Sequence, residues 1–376
     1  MTSDPRAAID QGLAALANRD AARAAALLRE AAAAVPAAEM PWTALGNAEL
    51  ALGNRDAAEA ALERQLEQTP RDIGALLLKA WLREQAGDAR SASSFYRAAL
   101  NQAAVDGRVP PALARLHQHA GTYVQEASGG FEAYLLERIG TDLSPTMTEA
   151  LELLTGKREL YLQEPSVFYY PGLPQKRFYD PADFPWLEPM LALVPAMQAE
   201  LAAVLGAGAE GFAPYVHRKR HRPAPNSPLL DSEAWTAFHF WRDGERDEDN
   251  AARCPATMEA LGHAPMPQIA GRSPNAHWSR LLPGAHIAAH TGMLNTRLIC
   301  HIPIKTAPDC WFRVGSEVRG WVDGVPLVFD DSINHEAKND GPEERVVLLF
   351  EIWRPEIDPA DREAIGRIFQ AIGEYD

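Results

Sequence analysis

The chain has 376 residues, 47% of them hydrophobic, which is enough for two or three domains with ordinary cores. Its formal net charge of −15 argues against a nucleic-acid partner, whose phosphates require clustered Lys and Arg, and against an anionic membrane surface. The first residues carry no signal-peptide pattern and no apolar run approaches about 18 residues, so we expect a cytoplasmic protein. The scattered cysteines Cys254, Cys300 and Cys310 are expected to be buried thiols.

Residues 1–118 are rich in alanine and contain an internal repeat. Landmarks recur 34 positions apart: Gly12 and Gly46, Ala24 and Ala58, Pro36 and Pro70, Gly53 and Gly87. The pattern resembles tetratricopeptide repeats (TPR), in which small residues allow paired helices to cross closely. We therefore predict a TPR-like helical domain over 1–118 and a helical linker over 119–164.

From residue 165 the composition changes to aromatic residues, prolines and short β-prone runs. We predict a helix over 187–205. Turn residues then separate predicted strands over 276–282, 285–290, 296–304, 310–314, 317–321, 325–330 and 345–353. Many short strands at this spacing favour a double-stranded β-helix (a jelly-roll, cupin-like barrel) over 165–376, which gives an α+β multidomain protein.

The chemistry is concentrated in three residues of this region. His290 and His335 lie on or beside different predicted strands, and Arg345 opens the last one. Two imidazoles near a guanidinium suit a mononuclear iron site with a dicarboxylate cosubstrate, whose far carboxylate would pair with Arg345. Ser279 is placed to donate a hydroxyl hydrogen bond to the same carboxylate. The usual third ligand, a carboxylate two residues after the first histidine, is replaced by Gly292, so a two-histidine centre and two core histidines remain alternatives.

Other residues have more ordinary interpretations. The strand spacing places His286 on the face of His290, where a packing or supporting role is favoured over metal binding. Asp330 and Asp331 are expected to cap a turn, and the basic run 217–222 to be a solvated loop that could alternatively meet an acidic substrate. The tryptophans are expected to be core residues: Trp235, Trp241, Trp278, Trp311, Trp321 and Trp353.

An ordered series of motifs over about 165–358 resembles the aspartyl/asparaginyl β-hydroxylase family. The motifs are Trp235-x(5)-Trp241-Arg-x-Gly244, Cys254-Pro255-x-Thr257, Pro283-Gly284-x-His286, His290-Thr291-Gly292, Asn295-x-Arg297-Leu298-x-x-His301, Arg313-Val-Gly315-x-Glu317-x-x-x-Trp321, Phe329-Asp330-Asp331-Ser332-x-x-His335-Glu336, Arg345 and Trp353-x-Pro355-Glu356. Helical repeats ahead of the barrel are similar to those of the longer members of the family.

The resemblance implies Fe(II) bound by His290 and His335 without a carboxylate ligand, and 2-oxoglutarate held by Ser279 and Arg345. It places His301 near the other end of the cosubstrate and assigns Arg297 to the substrate. Two positions depart from the animal members: Ile299 replaces an arginine, and His277 stands where another basic residue is found.

The resemblance thus implies a dioxygenase that uses O2 to hydroxylate the β-carbon of Asp or Asn in a peptide, protein or carrier-bound substrate, with succinate and CO2 as coproducts. The repeats would recruit that partner. Two alternatives stay open: hydroxylation of a lipid acyl chain, and a non-catalytic TPR adaptor with a degenerate barrel.

Overall fold

The computed structural model describes residues 4–218, 223–224 and 226–375, so part of the basic run, 219–222, lies outside the described residues. The chain divides into two compact units, Met1–Arg158 and Glu159–Asp376. Within the described residues, no helix combines the length and apolarity that crossing a bilayer requires. The three cysteines are free and buried, as predicted.

The first unit consists of antiparallel helical pairs followed by a long helix and a shorter one. Its helices are α1 (Pro5–Ala17), α2 (Ala21–Ala32), α3 (Trp42–Ala51), α4 (Arg55–Gln68), α5 (Ile73–Gln85), α6 (Ala89–Asp106), α7 (Ala114–Ile139) and α8 (Pro145–Thr155). Helices α1 and α2, α3 and α4, and α5 and α6 pack as pairs, which confirms the predicted TPR-like architecture.

The period of 34 arises where the two helices of a pair cross. A Cβ added at Gly12 would lie 2.8 Å from Leu28, and one at Gly46 would lie 2.9 Å from Leu62, so each glycine accepts a leucine from its partner helix. In the third pair the equivalent positions are Ala80 and Tyr96, both fully buried. In the first two pairs the glycines are therefore a packing requirement of the crossing, because a Cβ there would meet the leucine of the partner helix.

The second unit is built from antiparallel strands with helices on one face. Its strands are β1 (Phe178–Tyr179), β2 (Phe212–Pro214), β3 (Trp235–Arg242), β4 (Glu245–Arg246), β5 (Ala276–Leu281), β6 (His286–His290), β7 (Arg297–Lys305), β8 (Cys310–Val314), β9 (Glu317–Gly320), β10 (Leu327–Phe329), β11 (His335–Asn339) and β12 (Arg345–Trp353). Its helices are α9 (Leu187–Ala192), α10 (Val194–Gly206), α11 (Glu248–Arg253), α12 (Pro255–Gly262) and α13 (Pro359–Tyr375).

The strands form a large and a small sheet. The large sheet has the order β1-β10-β7-β12-β5-β3-β2, with β4 paired to β3, and the small sheet has the order β6-β11-β8-β9. Most neighbouring strands are not consecutive in the chain, the exceptions being β2–β3, β3–β4 and β8–β9, which confirms the predicted double-stranded β-helix.

Side chains along the central strands alternate between two environments. One face of each strand packs in the core beneath the helices, and the other face lines the interior between the two sheets. On β12, Leu348 and Phe350 pack in the core formed with α9, α10 and α12, whereas Arg345 and Glu351 face the interior. Strands β5 and β7 repeat this pattern. Because side chains of a strand alternate between faces, these apolar sequences still deliver polar groups to the interior.

Some elements differ from the sequence prediction. The helix predicted over 187–205 is two helices that meet at Leu193, because Pro195 in the first turn of α10 lacks an N–H donor to continue the ladder from α9. Strands β1, β2, β3 and β4 were not predicted, nor were helices α11, α12 and α13, and the strand of His335, which is β11, was expected without bounds.

Candidate active site

A cavity of about 460 Å³ lies between the two sheets of the barrel. All of the sequence-predicted site residues line it: Ser279, His290, Arg297, His301, His335 and Arg345. They come from five strands, β5, β6, β7, β11 and β12. Residues that are far apart in sequence therefore share one cavity of ordinary ligand-binding size.

The two histidines are cross-strand neighbours. His290 on β6 pairs with His335 on β11, and their ring centroids are 4.1 Å apart. Each Nδ1 donates to the carbonyl oxygen two residues earlier, His290 to Ala288 at 2.8 Å and His335 to Ile333 at 3.0 Å. This places the proton on Nδ1 and leaves an Nε2 lone pair on each ring, the arrangement typical of histidines that bind metals.

Burial favours the neutral form of His335. Desolvation, assisted by the neighbouring His290, lowers the pKa of His335 to about 3. A neutral imidazole is the form that binds a metal.

A β-bulge orients His290 towards the cavity. Between the paired positions His335–His290 and Ala337–Ile287, β6 has one residue more than β11. His290 therefore shares the cavity face with Ile287, and His286 points away and contacts Glu336 at 2.6 Å. The expectation that His286 and His290 share one face was wrong, because regular alternation fails at a bulge.

The carboxylate of Asp331 occupies the space into which a side chain at position 292 would project. A Cβ at Gly292 would overlap that carboxylate, and the Gly292 amide donates to the Asp331 backbone oxygen at 2.6 Å. Within the described residues, no group of three His, Cys, Asp or Glu side chains is arranged to hold a metal. Asp330 instead caps the turn as predicted, accepting from the Ser332 amide at 3.0 Å.

Arg345 is a buried cation with no anionic partner among the described residues. It is 1% exposed, and no carboxylate of that part of the chain forms an ion pair with it. Nη1 donates to the backbone oxygen of Ser279 at 3.2 Å, and the guanidinium lies 4.5 Å from the ring centre of Trp321. Burial lowers the pKa of Arg345 to about 10. A fully buried, uncompensated charge is costly, so this site favours an anion.

Two tryptophans orient the neighbouring polar groups. Trp235 Nε1 donates to Ser279 Oγ at 3.1 Å, and Trp321 Nε1 donates to His301 Nδ1 at 3.2 Å. The second bond requires the proton of His301 to be on Nε2, which has no partner among the described residues. Both tryptophans are buried as predicted, but they also position side chains of the site, which sequence reasoning missed.

Arg297 is held by two carboxylates. Its guanidinium forms ion pairs with Glu351 and, at 3.3 Å, with Asp331. Glu351 also accepts from the amide nitrogen of Asn275 at 2.9 Å. The charge of Arg297 is thus matched within the protein.

Sequence reasoning also missed His239, Tyr215 and the contribution of His277, all of which line the cavity. The pattern of side chains along β3 could have revealed His239. Trp235 and His239 are four residues apart and therefore lie on the same, interior face of this strand, but the strand itself was not predicted.

The chain thus combines a TPR-like helical unit with a jelly-roll barrel whose cavity contains a pair of histidines. Residues 194–355 match the family model for aspartyl/asparaginyl beta-hydroxylase. This part of the chain is therefore similar to the aspartyl/asparaginyl β-hydroxylase family, as its motifs predicted.

Parts of this chain are similar to known proteins. Aspartate beta-hydroxylase domain-containing protein 2 of Xenopus tropicalis is 30% identical over 217 residues, which are 55% of this chain and 55% of the relative. Human aspartyl/asparaginyl beta-hydroxylase is 31% identical over 142 residues, 37% of this chain and 18% of the relative. The chain thus spans little more than half the length of the first of these relatives. Among solved structures, the TPR2B-domain:pHsp70-complex of yeast Sti1 has a TM-score of 0.28 and 19% identity, covering 31% of this chain and 96% of that chain.

Proposed function

We propose that the chain is an Fe(II)- and 2-oxoglutarate-dependent dioxygenase that hydroxylates the β-carbon of an Asp or Asn residue in a peptide, protein or carrier-bound substrate. The observation that carries the proposal is Arg345, an ion-pair donor without a carboxylate partner among the described residues, in the cavity that also holds the histidine pair. A dicarboxylate that bridges the two would neutralise the buried charge.

The donor set of the cavity suits this metal and cosubstrate. His290 and His335 present Nε2 lone pairs from adjacent strands, and imidazole is a common ligand of iron. We assign the metal to these two residues. We assign one carboxylate of 2-oxoglutarate to Arg345 and Ser279, and the other end to the Nε2–H of His301.

The side chains of the barrel bind, orient and shield the reactants. When bound, iron and 2-oxoglutarate supply the oxidation: one oxygen atom of O2 enters succinate as CO2 is lost, and the other becomes the hydroxyl of the product. The guanidinium of Arg345 and the hydroxyl of Ser279, fixed by Trp235, restrict the cosubstrate to one orientation. Phe312, Trp321 and Phe329 line the cavity beside His301 and exclude water from the reacting carbon.

We assign recruitment of the peptide or protein substrate to the helical repeats. Stacked helical pairs present an extended surface suited to a chain partner. Substitutions on this surface are expected to raise KM for a protein substrate and to leave kcat unchanged, which steady-state kinetics can distinguish.

Release of labelled CO2 tests the proposal. The full chain with Fe(II), ascorbate and 2-oxoglutarate labelled at C1 should release CO2, and His335→Ala should abolish the release. His263→Ala, at the exposed end of α12, is the matched control and should keep it. Full turnover by His335→Ala would overturn the proposal, and the absence of both CO2 release and iron affinity in the wild type would favour the non-catalytic adaptor.

A further inference from the structure

Part of the cavity wall is formed by aromatic side chains that the proposed metal and cosubstrate do not use. His239 on β3 is the cross-strand neighbour of His277 on β5, and their ring centroids are 5.0 Å apart. The ring of Tyr215 lies 5.3 Å from that of His277. We name His239, His277 and Tyr215 the histidine wall.

The histidine wall has hydrogen-bonding capacity that the described residues leave unused. His277 is 2% exposed, yet neither of its ring nitrogens has a partner there, and Nδ1 of His239 also has none. Buried polar atoms in native proteins are almost always satisfied. Since these atoms line the cavity, a bound molecule is the natural partner.

The wall is electrically neutral. Burial lowers the pKa of His239 to about 4 and that of His277 well below its ordinary value, so both rings are uncharged at neutral pH. Imidazole in this form offers one donor and one acceptor. A carboxylate placed against it would gain no ion pair.

The remaining cations of the cavity are already engaged or exposed. Arg297 is matched by Glu351 and Asp331, and Arg345 is assigned to the cosubstrate. Arg242 is exposed and lies 2.8 Å from His217 Nε2. In the buried part of the cavity, away from the exposed Arg242, a substrate carboxylate would therefore meet matched or neutral groups and the negative charge of Asp331.

Hydrogen-bond donors and acceptors that are unused among the described residues of the cavity complement a neutral amide. Asp331 Oδ1 is a buried acceptor, and Arg297 Nε is a buried donor, and neither has a partner among the described residues. A carboxamide can donate its N–H to a carboxylate oxygen and accept from an imidazole or guanidinium N–H, whereas a carboxylate can only accept.

We propose, on the basis of the proposed function, that the cavity selects a carboxamide side chain, so that the substrate residue is Asn rather than Asp and the histidine wall determines this choice. Asn, O2 and 2-oxoglutarate yield β-hydroxyasparagine, succinate and CO2. Arg297 contacts the substrate as a hydrogen-bond donor to a neutral group, and its charge remains matched by the two carboxylates.

Two peptide libraries that differ at one position test this selection. The full chain with Fe(II), 2-oxoglutarate and O2 is incubated with random peptides that contain a central Asn or a central Asp, and addition of one oxygen is measured by mass spectrometry. The Asn library should be hydroxylated at least tenfold faster. His277→Lys installs a cation in the wall and should reverse the ratio, whereas the exposed His263→Lys should preserve it.

Each outcome decides one of the two proposals. Equal or faster hydroxylation of the Asp library, no hydroxylation of either library despite CO2 release, or an unchanged ratio in His277→Lys would overturn the Asn selection and leave the dioxygenase proposal intact. Absence of CO2 release from 2-oxoglutarate and of iron binding would instead overturn the dioxygenase proposal itself.

Discussion

Two buried arginines at the ends of the same strand have opposite electrostatic environments. Arg354, which directly follows β12, is fully buried and pairs with Asp330 at 2.5 Å, and it also donates to the Tyr179 hydroxyl at 2.7 Å. Arg345, the first residue of β12, has no carboxylate partner among the described residues. Arg354 stabilises the folded barrel. Arg345 lowers its stability, a cost that is common at residues that bind a ligand.

Substitution by methionine should separate the two roles. Arg345→Met is expected to raise the free energy of unfolding of the ligand-free protein by about 1 kcal/mol or more, because it removes a buried unpaired charge. It should also abolish the rise in Tm on adding Mn(II) and 2-oxoglutarate. Arg354→Met should lower the free energy of unfolding by about 3–5 kcal/mol, since it leaves Asp330 buried and unpaired. Calorimetry with and without ligands measures both, and a destabilised Arg345→Met that still responds to 2-oxoglutarate would contradict the assignment.

The absent carboxylate at position 292 is a steric requirement of this site. Gly292→Asp is expected to abolish 2-oxoglutarate turnover and to destabilise the barrel, because the new side chain overlaps Asp331 and adds a second buried negative charge. Turnover and Tm of this variant check the prediction. Turnover of this variant above that of the wild type would contradict the prediction and show that position 292 accepts a third metal ligand.

The buried histidines should make stability depend on pH. The unfolded chain protonates His239 near pH 6.5, whereas the folded chain does so near 4, so the unfolded state binds more protons in this window and stability is lost as the pH falls through it. In urea unfolding from pH 6.5 to 4, His239→Gln should flatten the dependence by up to about 1.4 kcal/mol per pH unit. The exposed His263→Gln is the control, and equal slopes for His239→Gln and wild type would refute the prediction.

At the scale of elements, the turn within each helical pair uses a left-handed residue at the same repeat position. Arg19, Gly53 and Gly87 have φ of +62°, +79° and +75° and are 34 positions apart. A Cβ at Gly53 or Gly87 would meet nothing within 4 Å, so the requirement there is purely one of backbone conformation.

Alanine substitutions should therefore change the free energy of unfolding in opposite directions at two glycines that both have space for a Cβ. Gly53→Ala should lower the free energy of unfolding by about 1 kcal/mol, because alanine resists positive φ. Gly121→Ala, within α7 and also without neighbours within 4 Å, should raise it by about 0.5–1 kcal/mol. Denaturant titration measures both, and shifts of the same sign would contradict the conformational argument.

The sequence predicts regular elements well and their irregularities poorly. The repeat was evident because Gly12 and Gly46 report a packing contact that recurs with a fixed period. Most of the later strands were recognised from turn residues and β-branched runs. The bulge in β6 has no such signal, since it arises from pairing with β11, and this is why His286 was placed on the wrong face. The ion pairs of Arg297 were equally hidden, because Glu351 and Asp331 approach it only in the folded barrel.

At the scale of the whole molecule, the proposed function predicts that ligands protect only one of the two units. Anaerobic addition of Mn(II) and 2-oxoglutarate is expected to slow amide hydrogen exchange in β5, β7, β11 and β12, which supply the proposed ligands. Exchange in α1–α6 should be unchanged. Peptide-resolved exchange by mass spectrometry gives the map, with His335→Ala as the unresponsive control. Protection confined to the helical unit would place the ligands elsewhere.

In the proposed function, one pair of imidazoles and one guanidinium hold the two ends of a metal–diacid complex. Crystals soaked anaerobically with Mn(II) and 2-oxoglutarate would reveal this arrangement through the anomalous signal of the metal. We expect a single anomalous peak bound by Nε2 of His290 and His335, with the distal carboxylate of the diacid on Arg345 and Ser279. A metal bound away from the histidine pair, or a diacid that does not contact Arg345, would contradict it.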